Sequence, residues 1–95
     1  MLDLNAVFEK YDEEFTKFHR IVEPRHSRFD ICAFLMLSDL MISYKNRSIV
    51  MGAGHDVIWL SADPIEIATN ATEEQIRDLI RCGVFYSDEC FKMFV

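Results

Sequence analysis

The run Phe29 to Ile42, FDICAFLMLSDLMI, constrains the fold more than any other part of the chain. Only Asp30, Ser38 and Asp39 interrupt its apolar character. A helix that is hydrophobic on every face has to be buried on every face. The run therefore predicts a central helix around which the rest of the chain packs, with Leu35 deep in the core at its midpoint. Its 14 residues fall short of the ~20 needed to cross a bilayer, and Asp39 lies within it.

The flanking segments supply material for such a core. The chain has 95 residues, 51% of them hydrophobic and eight of them Phe, with only three Gly and two Pro. That fits a single domain, residues 1–95, with no need of staples. Leu4, Val7, Phe8, Tyr11, Phe15, Phe18 and Val22 fall on one stripe at helical spacing, so a first helix is expected from Asp3 to Val22. Pro24 ends it. Ser27 is the expected N-cap of the central helix, which should fade between Ile42 and Tyr44. The two helices would form an antiparallel hairpin.

The period then changes. Ser48–Met51 and Val57–Ser61 read as strands joined by a five-residue loop, Gly52 to Asp56. Gly52-Ala53-Gly54 lacks the Lys-Ser/Thr and the helix of a phosphate-binding loop. Asp63-Pro64 opens a short helical turn over Ile65 to Ala68. Thr72-Glu73-Glu74-Gln75 is a capping box, and Gly83 is placed to end the helix it starts. Val84–Tyr86 and Phe91–Val95 are the last two strands, around a turn at Ser87 to Cys90. The order α-α-β-β-α-β-β predicts an α+β fold: a helical hairpin with a central buried helix on a small antiparallel sheet of three or four strands.

Net charge is −6, which disfavours binding to nucleic acid, where Lys and Arg must neutralise phosphate. A winged-helix reading of Thr72 to Val95 would place Glu73, Glu74 and Asp78 beside Arg77 and Arg81. The N-terminus has acids where a signal peptide needs bases, so a soluble, non-secreted, cytoplasmic protein is expected, without a membrane segment. Cys32, Cys82 and Cys90 form no C-x-x-C and, with His19, His26 and His55, no zinc spacing. No metal, no cofactor and no enzymatic activity are expected, because no nucleophile elbow or Cys/His signature is present.

Two features stand out from this background. His19, Arg20, Arg25, His26 and Arg28 form a basic island at the start of the second helix. Three arginines against Glu23 give it a formal +2, which leaves −8 for the rest of a chain of net −6. A helix N-terminus suits an anion, so a phosphorylated or nucleotide-like small ligand is one expected partner. The favoured reading is that these side chains answer acids of helix one or of another subunit, or stay solvated. The second feature is the two-sided apolar strands. Alternation puts Val57 and Trp59 on one face and Ile58 and Leu60 on the other, and Phe91 and Met93 opposite Phe94. A two-layer domain hides only one face of its sheet, so Val57, Trp59, Phe91 and Met93 are expected at an interface with a protein partner or a second copy.

The final 40 residues resemble small uncharacterised accessory proteins of tailed phages and prophages. The resemblance is carried by Ile58-Trp59-Leu60 followed by Asp63, by Thr72-Glu73-Glu74, by Arg81-Cys82-Gly83-Val84, by the Tyr86-Ser87-Asp88 turn and by the terminal Met93-Phe94-Val95. It implies an accessory phage protein expressed in a bacterial cytoplasm. The absent catalytic signature, the two-sided apolar strands and the acidic surface add the expectation of a non-enzymatic interaction protein that modulates or inhibits a host factor. The resemblance assigns no functional residue.

Overall fold

A computed structural model describes residues 1–42 and 48–94. Helices α1 (Leu4–Lys10), α2 (Phe29–Leu40), α3 (Pro64–Asn70) and α4 (Glu73–Arg81) pack with strands β1 (Val50–Gly54), β2 (Val57–Leu60), β3 (Val84–Ser87) and β4 (Cys90–Phe94). The sheet is antiparallel throughout, in the order β1-β2-β4-β3. The fold is α+β, as expected. The end of the central helix towards Tyr44, and Val95, lie outside the described residues.

The elements with complete local signals form as read. Asp63 caps α3 by accepting the Ile65 amide, with Pro64 at the first helical position. At α4 the Thr72 hydroxyl accepts the Gln75 amide while the Gln75 side chain accepts the Thr72 amide. Both of these first-turn donors are thus satisfied. Gly83 follows the helix at φ 96°, a conformation that glycine adopts without the penalty a Cβ imposes. Its amide bonds to the Ile80 carbonyl at 2.9 Å.

Helix one is much shorter than its stripe. After Lys10 the chain continues as two single 3-10 turns, Asp12–Glu14 and Phe18–Arg20. Between them Thr16 sits at φ 62°, an outlier for a β-branched residue. Tertiary contacts account for the break. The Thr16 amide bonds to the Ile80 carbonyl near the end of α4 at 3.2 Å, sharing with the Gly83 amide an acceptor that has no partner within the helix. The bend also carries Glu14 to Arg81 at 3.2 Å. Val22, counted in the stripe, is 85% exposed.

The apolar run Phe29 to Ile42 does form a helix, α2, but not a central one. It buries a single stripe, Cys32, Ala33, Leu37 and Leu40, while Phe29 and Leu35 are exposed. Its N-cap is Arg28, not Ser27, and no side chain caps it. It packs on α3 and α4, and α1 packs on α4 and β3, so the expected pairing of the first two helices is replaced by packing on later ones. The core lies between the helices and one sheet face. Leu60, Phe91, Met93 and Val84 from the sheet meet Leu4 and Val7 of α1, Leu37 of α2, Ile67 of α3, and Ile76, Leu79 and Ile80 of α4.

The first hairpin is tighter than expected. β1 runs through Gly54, and only His55 and Asp56 turn, at φ 41° and 69°. Two central residues at positive φ match the short hairpin turn whose twist suits its strands. Gly52 and Gly54 are strand residues because Trp59 lies over both. A Cβ on either would stand 3.9 and 3.8 Å from the indole, so the ring takes up the space of the missing side chains. The register shifts between Val50 and Gly52, a bulge in an edge strand.

Candidate interaction surface

Register decides which side chains share a face. Across β1, β2, β4 and β3 one row is Gly52, Trp59, Lys92 and Phe85, and the next is Gly54, Val57 and Phe94. Trp59, Val57, Phe85 and Phe94 all lie outside the buried core cluster. This outer face is apolar and turned away from the helices. Phe94 is 52% exposed, and Trp59, Val57 and Phe85 are half-buried. Lys92 occupies the centre, with its ammonium drawn aside to Ser87 Oγ at 2.9 Å and Asp88 at 3.8 Å. Its stem therefore adds to the apolar surface.

Val57 and Trp59 are where the sequence places them. Phe91 and Met93 are not: both are fully buried in the chain's own core, opposite Leu60 and Ile58. Alternation within each strand reads correctly, but it cannot set the phase of β4 against β2. The residue exposed on that strand is Phe94.

One edge of the outer face continues into a cavity that sequence reasoning missed. Phe85 and Phe94 stack at 5.0 Å, and Phe15 meets them edge-on at 6.1 and 6.2 Å. On the helix side, Phe8 packs on Tyr86 at 5.7 Å. These five rings, with Asn5, Glu9 and Asp12, line an open cavity of about 480 Å³ between α1 and β3. Burial pushes the Tyr86 phenol up from its ordinary value, with the carboxylate of Glu89 adding to the shift. The Phe15 ring reaches this place only because helix one breaks, so no helical periodicity could have shown it.

The basic island does not converge. Arg20 pairs with Glu14 at 3.1 Å, Arg28 with Asp30 at 3.2 Å, and Arg25 with Asp39. His26 Nδ1 accepts the Arg28 amide at 3.0 Å, and His19 is exposed on a 3-10 turn. Asp30 already stands in the first turn of α2. Burial raises its pKa, but the Ile31 amide and the Arg28 guanidinium outweigh that and hold the carboxyl below its ordinary value. An incoming anion would meet a carboxylate there. Each arginine answers a nearby acid, and exposed pairs of this kind contribute little.

Glu14 bridges two arginines, Arg20 and Arg81. Hydrogen bonding from Arg81 holds its carboxyl below the ordinary range, against a smaller opposing effect of burial and with help from Arg20. Arg81 also bonds Asp78 at 3.1 Å and the Arg20 carbonyl at 3.3 Å. Cys32 and Cys82 are buried free thiols, and burial pushes the Cys82 thiol far up, so it is inert as a nucleophile. Among the described residues, no three His, Cys, Asp or Glu side chains are grouped to hold a metal, and no helix is long and apolar enough to cross a membrane.

The class that fold and surface define is a two-layer α+β domain with helices on one sheet face and an apolar outer face on the other. Comparison with protein-family models, curated proteins and solved structures returns no match, so the functional reading rests on this geometry.

Proposed function

We propose that this chain is a small, acidic, non-enzymatic interaction protein that works through the outer face of its sheet and self-associates across it. One observation carries the reading. The helices all pack on one side, and the other side presents Trp59, Val57, Phe85 and Phe94 around a lysine whose charge is turned away. Two such faces stack as the layers of a β-sandwich do. The resemblance of the final third to phage accessory proteins makes a bacterial host factor the first other partner to seek.

Sedimentation equilibrium at micromolar concentration tests it. The wild type should sediment as a dimer. Val57→Glu puts a charge on the outer face, away from the core, and should sediment as a monomer with an unchanged far-ultraviolet circular dichroism spectrum. A wild type that is strictly monomeric removes self-association from the proposal.

A further inference from the structure

The same fold presents a second site at the opposite end of the strand order from β1, where the cavity shares Phe85 and Phe94 with the outer face and adds Phe8, Phe15, Tyr86 and two carboxylates. β3 is an edge strand, and its register with β4 shows which of its amides are free. Asp88 and Glu89 turn at φ 53° and 59°, and Ser87 stands opposite Cys90. The pair that closes a two-residue hairpin is hydrogen-bonded, and bonded pairs alternate with non-bonded ones along an antiparallel ladder. Ser87 and Phe85 therefore spend their N–H and C=O groups on β4, while those of Tyr86 point outward. An edge of this kind is a template for an added strand.

The aromatic cavity lies along that edge. Phe8, Phe15, Phe85, Tyr86 and Phe94 offer π surface, Glu9 and Asp12 stand on its α1 side, and among the described residues no basic side chain lines it. Ring faces attract cations, and the two exposed carboxylates and the chain's −6 charge act in the same sense. The volume, about 480 Å³, lies within the range of binding clefts. We propose that an extended basic peptide docks here. Its backbone pairs with the free edge of β3 at Tyr86, and the Lys or Arg side chain of an alternate residue enters between the rings, beside Glu9 and Asp12. Strand addition supplies affinity and the pocket supplies side-chain choice. This goes beyond self-association and does not rest on it.

The test is an anisotropy titration with a labelled hexapeptide of alternating Thr and Arg. Two controls are the same peptide with Glu for Arg, and one with Pro for the central Thr, which keeps the charge but removes a backbone donor. The basic peptide should bind, and the acidic and proline peptides should not. Glu9→Lys/Asp12→Lys should weaken binding by about tenfold or more. Glu23→Lys/Glu74→Lys makes the same change of net charge away from the cavity and should have a much smaller effect. Val57→Glu should bind as the wild type does. No binding up to about 1 mM, equal binding of the proline peptide, equal weakening by the two double variants, or loss of binding in Val57→Glu would each overturn the assignment. So would binding of benzyltrimethylammonium as tight as that of the peptide, which would mark a site for small cations alone.

Discussion

Leu35 and Leu37 are two residues apart in the same apolar run, and the structure separates them completely. Leu37 is fully buried, and Leu35 is 36% exposed. Leu37→Ala should cost about 2–5 kcal/mol through lost transfer energy and the cavity left behind. Leu35→Ala should cost less than about 1 kcal/mol. Urea denaturation of the two variants checks this, and equal losses would mean that the buried stripe of α2 is misplaced. The same residue-level ambiguity governs Phe91, Met93 and Phe94. Strand alternation sorts them into two faces, but only pairing with Leu60 and Ile58 says which face is the core.

At the scale of elements, legibility followed the range of the interactions. The bounds of α4 were readable because the groups that satisfy its ends, Thr72, Gln75 and Gly83, lie within or beside it. Thr72→Ala should therefore destabilise by about 1 kcal/mol, with an intact sheet, as thermal melts would show; no change would mean that the cap is dispensable. The stripe of helix one runs past the helix's end because it is only a local pattern. The contacts that end it, Thr16 with Ile80 and Glu14 with Arg81, join residues more than sixty positions apart. The first hairpin forms where expected, but its loop is shorter for a related reason. Gly52 and Gly54 signal a loop until an indole from the next strand covers them.

For the whole molecule, the Glu14 cluster ties the segment after α1 to α4 and makes stability depend on pH. The Glu14 carboxyl is held below its ordinary value of 4.5, first by Arg81. A depressed carboxylate contributes stability that is complete above its unfolded value and is lost as pH falls through the folded one. Glu14→Gln should thus melt below the wild type at pH 7, and the gap should close as pH falls below about 4.3. Thermal melts between pH 7 and pH 3 follow this, and a gap independent of pH would show that the charge of Glu14 is not what holds the two segments together.

The sequence by itself determined what short-range chemistry can determine. Caps, proline and glycine punctuation and hydrophobic period located α3, α4 and the two hairpins and set the α+β class, because each signal acts within a few residues. Only the tertiary structure decided which face of each apolar element is buried, where helix one stops and which rings line the cavity by β3. An apolar side chain carries no label for the surface it will meet. Phe94, Leu35 and Trp59 are as hydrophobic as the core residues beside them. Phe94 and Trp59 stand on the outer face because the helices pack on the far side of the sheet, and Leu35 faces outward because α2 turns its Cys32, Ala33, Leu37 and Leu40 stripe to the core.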